Sequence, residues 1–127
     1  MTTVLLVDDE RLILRSLEKT LLRAGFDVLT AADCNSGNET FMQNKDDVNI
    51  AVLDLNMPGF DGIPKTGAGF DLLDELKKEQ ADLPVVILTA YDEVSRAKDA
   101  VSRGASAFFV KGREQGLVEL IQKILSE

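Results

Sequence analysis

Several apolar segments of this 127-residue sequence end in polar residues that could carry out phosphate or metal chemistry. These residues are Asp8, Asp9 and Glu10 after the first segment, followed by Asp54, Thr89 and Lys111 after later ones. Carboxylates held close together repel one another and need a compensating cation at neutral pH. Oxygen ligands without histidine or thiolate favour a hard ion, so Mg²⁺ is the expected metal.

An aspartate beside a bound Mg²⁺ can also act as a nucleophile toward phosphorus and form an aspartyl phosphate. Phosphoryl transfer requires charge neutralisation on the phosphoryl oxygens, which a lysine, a hydroxyl and a metal ion together supply. Each of these positions also has a simpler explanation. Asp8 and Asp9 can cap a helix, and Asp54 can begin a loop ahead of a turn. Thr89 can be an ordinary strand residue and Lys111 a solvated strand end. Their common position at strand ends favours Mg²⁺-dependent phosphoryl acceptance.

The composition excludes several classes of protein. Apolar residues make up 45% of the sequence, and 14 Lys and Arg against 22 Asp and Glu give a net charge of −8. We expect one globular domain over residues 1–127 that binds neither nucleic acid nor a membrane. The absence of histidine excludes a His base or His metal ligand. A single cysteine, Cys34, and a start unlike a secretory signal predict a cytoplasmic protein.

Alternating strand and helix patterns position the polar residues. Strands are predicted at residues 3–7, 27–31, 50–53, 85–88 and 107–110. Helices are predicted at residues 10–24, 35–44, 70–80, 92–103 and 114–125. Strands without polar alternation are buried on both faces, which is typical of a doubly wound parallel sheet with helices on either side. In such an α/β sheet, ligands bind at the carboxyl ends of the strands.

Six ordered segments carry a family resemblance that covers essentially the whole chain. They are VLLVDDE (4–10), VLDLNMPG (52–59), DG (61–62), LTA (88–90), GA (104–105) and VK (110–111). With these segments the sequence resembles the receiver domain of bacterial two-component response regulators. The resemblance implies a flavodoxin-like fold, in which a doubly wound five-stranded parallel sheet of order 2-1-3-4-5 is flanked by five helices.

The resemblance also implies an acceptor and a metal site. Asp54 would be the phosphoacceptor, and it would take a phosphoryl group from a sensor histidine kinase or a phosphotransfer protein. Asp9, Asp54 and the backbone carbonyl of Asn56 would bind Mg²⁺ directly, and Asp8 would act through water.

Other residues would respond to the phosphoryl group. Lys111 would pair with it and with Asp54, and Thr89 would hydrogen-bond one of its oxygens. Phe108 would be a switch aromatic that turns inward when Thr89 moves toward the phosphoryl group, with core packing as the alternative. Tyr91 would lie where a side chain influences water access to the acyl phosphate, or would simply be exposed.

Phosphorylation is expected to shift a pre-existing equilibrium at one face of the domain. This face consists of the fourth helix, the fifth strand and the fifth helix, residues 92–103, 107–110 and 114–125. It would control a partner protein or an output domain, or form a homodimer. The chain would catalyse only its own phosphoryl transfer and dephosphorylation, so we do not expect an enzyme that acts on other substrates.

Two features depart from the family pattern. Lys111 is followed by Gly112, where the family has proline after a cis peptide bond, and a cis bond before another residue costs about 2.5–4 kcal/mol. We therefore expect a trans bond with a rearranged loop, or a strained bond. The additional residues 63–69 contain three turn formers, which predict a flexible surface loop. This loop is either a neutral length variant or a lid.

Three other functions share parts of this pattern. An aspartate-dependent phosphatase needs an acid two residues after Asp54, where Asn56 stands, and it usually has a cap domain. A flavin carrier needs a Ser/Thr/Gly-rich loop instead of the acidic residues 8–10. An unphosphorylated receiver-like docking module stays open as an alternative because of Gly112.

Overall fold

The structure is a computed structural model that describes residues 2–90 and 93–127. Its strands are β1 (Thr3–Val7), β2 (Asp27–Ala31), β3 (Val48–Asp54), β4 (Met57–Pro58), β5 (Pro64–Lys65), β6 (Val85–Thr89) and β7 (Ala107–Val110). Its helices are α1 (Arg11–Arg23), α2 (Cys34–Asn44), α3 (Ala68–Glu79), α4 (Val94–Ala97), α5 (Asp99–Ser102) and α6 (Glu114–Ser126).

The five long strands form one sheet in the order β2-β1-β3-β6-β7. Every neighbouring pair in this sheet is parallel. When the short strands β4 and β5 are left out of the numbering, the order is 2-1-3-4-5, which confirms the predicted fold class. The order reverses between β1 and β3, and such a switch point leaves a crevice at the carboxyl ends of the strands.

Both faces of the sheet are packed with apolar side chains. Leu5 and Val7 of β1 belong to a core cluster that includes residues of α2 and α3. Val4 and Leu6 belong to a second cluster, which includes residues of α1 and α6. Alternate residues of a strand point to opposite faces, so an unbroken apolar run is what a doubly covered strand requires. Within residues 2–90 and 93–127, no helix is long and apolar enough to cross a membrane.

The fourth predicted helix, residues 92–103, is present as the two segments α4 and α5. Lys98 separates them and keeps helical dihedral angles of φ −58° and ψ −26°, so the helical path continues through it. Its predicted beginning at Asp92, like the neighbouring Tyr91, lies outside the described residues.

The chain after β3 forms a short antiparallel hairpin, of which the additional residues 63–69 supply the second strand, β5. Met57 pairs with Lys65 and Pro58 with Pro64, and the backbone N–H of Gly59 donates to the carbonyl of Ile63 at 2.9 Å. Of the predicted surface loop at residues 63–69, residues 63–66 are exposed, which confirms that part of the prediction. The prediction is wrong for residues 67–69, which are buried because the chain enters α3 there. A flexible loop was predicted here, but the exposed part of the chain instead contains a strand that pairs with β4. Proline has no N–H to donate to the ladder, which keeps the paired region short.

Helix α3 begins in close contact with the end of β3. A Cβ atom at Gly69 would lie 2.3 Å from the carbonyl oxygen of Asp54, and the Gly69 N–H donates to the carbonyl of Leu55 at 2.8 Å. We expect Gly69→Ala to lower the free energy of unfolding by about 3 kcal/mol, at the upper end of overpacking effects. Urea unfolding measures the loss. The matched control is Gly59→Ala, because a Cβ there would meet its nearest atom at 3.6 Å. Equal stability of the two variants would contradict the close contact.

Candidate functional site

The carboxyl ends of β1, β3, β6 and β7 meet at one edge of the sheet. Val7 pairs with Leu53, Asp54 pairs with Leu88, and Thr89 pairs with Val110. The residues at and after these positions therefore lie side by side. Three of them, Asp8, Asp54 and Thr89, are polar and at least 96% buried. Buried polar groups of this kind need partners, and their strand positions bring those partners together.

Lys111 is the cation at the centre of this crevice. Its Nζ lies 3.1 Å from Asp8 Oδ2, 3.1 Å from Asp54 Oδ1 and 2.7 Å from Glu10 Oε1. The lysine side chain itself is only 11% exposed. The structure thus brings together Asp8, Asp54 and Lys111, which the sequence predicted as neighbours.

Burial controls the ionisation of Asp54. Burial, together with the nearby charge of Asp8, raises the pKa of Asp54 to about 8, although Lys111 opposes the increase. Burial alone would lower the pKa of Lys111, but its hydrogen bond to Glu10 and the charges of Asp54 and Asp8 outweigh this effect and raise that pKa. Lys111 therefore stays charged at neutral pH, whereas Asp54 holds a proton more readily than an ordinary aspartate.

Thr89 and Asn56 lie at the same edge. The hydroxyl of Thr89 donates to the carbonyl of Ala90 at 3.1 Å, and its own carbonyl accepts from the Lys111 N–H at 2.9 Å. The side chain of Asn56 accepts a hydrogen bond from the Gly67 N–H at 2.9 Å, which connects the end of the hairpin to the loop after Asp54. The predicted role of the Asn56 carbonyl as a metal ligand stays a prediction.

A group of carboxylates suited to a cation occupies the crevice. Among the described residues, Asp8, Glu10 and Asp54 each contribute an oxygen that lies within 4.8 Å of the other two. Asp8 Oδ2 is buried and pairs with the Lys111 ammonium, but no group among the described residues donates a hydrogen bond to it. This all-oxygen donor set fits a hard divalent cation such as Mg²⁺. Asp9 is exposed and is not a member of the group, so its role as a direct ligand stays a prediction.

Glu10 is the residue of the acidic triplet to which the sequence assigned no individual role. The acidic triplet at the end of the first strand contains it, but no role followed from the sequence. Its contact with Lys111 joins residues 101 positions apart. The sequence signal for a role of Glu10 at the site was its position directly after Asp8 and Asp9.

The bond between Lys111 and Gly112 is trans, as are all peptide bonds in the described residues. Of the two predicted alternatives, the trans bond is therefore the one found. Gly112 has φ +109°, a conformation that glycine adopts at little cost. The lysine nevertheless reaches Asp54, so the absence of proline does not remove it from the site.

The two phenylalanines of β7 pack on opposite faces of the sheet. Phe108 is partly buried against the cluster that contains α2 and α3, whereas Phe109 is partly buried against the cluster that contains α1 and α6. This alternation follows from the strand itself. The switch role predicted for Phe108 stays a prediction, and Tyr91 lies outside the described residues.

Comparison with known families identifies the family of this chain. The family model described as "Response regulator receiver domain" matches residues 4–124. The chain belongs to this family. As a receiver domain it is related to proteins well outside bacteria, since its curated relatives include algal and plant proteins.

Individual relatives and structures resemble this receiver domain over most of its length. The "Probable transcriptional regulator ycf27" of Porphyridium aerugineum is 37% identical over 108 residues, which are 85% of this chain and 41% of that protein. A receiver domain protein from Clostridium thermocellum has a TM-score of 0.87 and 29% identity, covering 99% of this chain and 95% of that one. The chain spans less than half the length of the curated relatives it matches.

A further solved structure is the response regulator TrrA from Thermotoga maritima, in complex with Mg²⁺ and BeF. It has a TM-score of 0.80 and 27% identity, covering 98% of this receiver domain and 99% of that chain. The complex shows that a protein of this fold and family accommodates Mg²⁺.

Proposed function

We propose that this receiver domain accepts a phosphoryl group on Asp54 from a sensor histidine kinase or a phosphotransfer protein, in a Mg²⁺-dependent reaction. The observation that carries the proposal is the pairing of a nearly buried Asp54 with Lys111 at 3.1 Å, inside a group of carboxylates at the carboxyl edge of the sheet. A docking module that is never phosphorylated has no need for this arrangement, because buried charges cost stability unless they are well paired.

The chain's own residues supply most of the chemistry. A carboxylate oxygen of the deprotonated Asp54 forms a bond to phosphorus, while the bond between phosphorus and the donor breaks and its electron pair leaves with the donor. Lys111 neutralises charge on the transferred group, and the Thr89 hydroxyl can turn from the Ala90 carbonyl to donate to a phosphoryl oxygen. Mg²⁺, held by Asp54 with the acidic residues after β1 and the Asn56 carbonyl, would neutralise further charge there.

The output is a change in protein contacts. Movement of Thr89 would let Phe108 repack and alter the face formed by α4, α5, β7 and α6, as a shift between two existing conformations. This face would control an output domain, a partner protein or a homodimer. We propose that the chain acts in the cytoplasm and catalyses only its own phosphorylation and dephosphorylation.

Intact mass spectrometry tests the acceptor directly. After incubation with Mg²⁺ and acetyl phosphate, we expect wild-type protein to gain one phosphoryl group and Asp54→Asn to gain none, because an amide cannot form the acyl phosphate. The control Asp74→Asn removes an exposed carboxylate of α3 and should still be phosphorylated.

The alternatives give different masses. A phosphoryl group that persists in Asp54→Asn would place the acceptor elsewhere. No adduct on the wild type would favour the docking module and refute the proposal.

A further inference from the structure

Glu10 lies at the opening of the acidic crevice. Its carboxylate is 2.7 Å from Lys111 Nζ, closer than the carboxylates of Asp8 and Asp54, which are each at 3.1 Å. Its side chain is 57% exposed, whereas those of Asp8 and Asp54 are 0% and 6% exposed. Glu10 is therefore the carboxylate of this group that a cation arriving from solvent meets first.

The backbone holds Glu10 and Asp8 in a fixed relation. The N–H of Glu10 donates to Asp8 Oδ1 at 2.9 Å, and the carbonyl of Glu10 accepts from the Leu14 N–H at 2.9 Å in the first turn of α1. The start of the helix thus fixes the point from which the Glu10 side chain extends toward Lys111.

The group carries more negative than positive charge. Three carboxylates face the single ammonium of Lys111, so the group has a net charge of −2 when all three are ionised. Among the described residues, none donates a hydrogen bond to the buried Asp8 Oδ2, although the Lys111 ammonium lies 3.1 Å away, so this oxygen retains lone pairs for a cation. A divalent cation matches this surplus, and it would compete with Lys111 because both are attracted to Glu10.

We infer that Glu10 exchanges partners: it holds Lys111 in the metal-free protein and contributes its carboxylate, directly or through water, to Mg²⁺ when the cation binds. The inference rests on the proposed function, because it concerns the same cation. It goes beyond the family resemblance, which implies Asp9 and assigns Glu10 nothing. When Lys111 is released from Glu10, its ammonium pairs with Asp54 and with the incoming phosphoryl group.

Calorimetric titration of the metal-free protein with Mg²⁺ tests this assignment without any phosphodonor. We expect Glu10→Gln to bind Mg²⁺ about tenfold more weakly, as is usual when a polar group beside a metal is removed. Glu10→Asp keeps the charge and should retain most of the affinity. The control Glu119→Gln, at an exposed position of α6, should bind like the wild type. Lys111→Met removes the competing ammonium and should bind Mg²⁺ more tightly.

The outcomes separate this inference from the proposed function. Wild-type affinity in Glu10→Gln overturns the inference and leaves the proposed function intact. An equal loss in Glu119→Gln also overturns it, because the effect would then come from net charge alone. Weaker binding by Lys111→Met overturns the exchange of partners. No saturable Mg²⁺ binding by the wild type refutes the cation requirement of the proposed function, and the inference with it.

Discussion

Asp54→Asn is expected to stabilise the metal-free protein, and the gain should increase as the pH rises from about 5 to about 8. The pKa of Asp54 is about 8 in the folded protein, against an ordinary value of 3.8. Between these values the unfolded chain loses the Asp54 proton while the folded protein retains it, so wild-type stability falls as the pH rises. Each pKa unit is worth about 1.4 kcal/mol, so we expect a difference of a few kcal/mol at pH 8.

Urea unfolding in the presence of a chelator, at several pH values, measures this difference. Asparagine keeps the shape of the side chain and an oxygen that can accept from Lys111, but it cannot ionise. The control Asp74→Asn replaces an exposed aspartate, and its effect on stability should not follow the same pH course. A constant difference between wild type and Asp54→Asn over this range would mean that burial does not hold the Asp54 proton.

Lys111→Met should be the most destabilising change at the site. It leaves the buried carboxylates of Asp8 and Asp54 without their cation, and loss of one partner from a buried ion pair costs about 3–5 kcal/mol. We expect a loss of this size at pH 9, where Asp54 is ionised in the wild type, and a smaller loss at pH 5, where Asp54 is protonated and needs no partner. Urea unfolding of metal-free protein at the two pH values measures it.

A surface lysine provides the comparison. Lys65 pairs with Asp71, but both side chains are well exposed, at 58% and 38%, and such pairs contribute about 1 kcal/mol or less. Lys65→Met should therefore have little effect. The double variant Lys111→Met/Asp54→Asn should recover part of the stability that Lys111→Met loses, since it removes one of the two unpaired charges. If Lys111→Met costs no more than Lys65→Met, Lys111 does not balance these carboxylates.

The sequence alone determined the layered fold and the edge of the sheet at which the site lies. Strands with no polar alternation require cover on both faces, and β1, β2 and β7 have the predicted bounds because their apolar or β-branched residues are local signals. Helix α1 likewise ends just before Gly25, whose φ of +96° suits glycine alone among common residues. Polar residues that directly follow such parallel strands therefore lie at the edge of the sheet formed by the carboxyl ends of the strands.

Tertiary structure alone decided how the site is joined together. Glu10 and Lys111 meet because β1 and β7 end at the same edge, a consequence of strand order that no local pattern contains. The hairpin of β4 and β5 depends on backbone pairing between residues whose composition indicated only turns. Lys111 contacts Asp54 although the bond between Lys111 and Gly112 is trans. This contact depends on carboxylates at the ends of two other strands. The periodicity of a segment indicates which of its residues are buried. Ion pairs depend instead on which segments become neighbours, and this is determined by long-range packing.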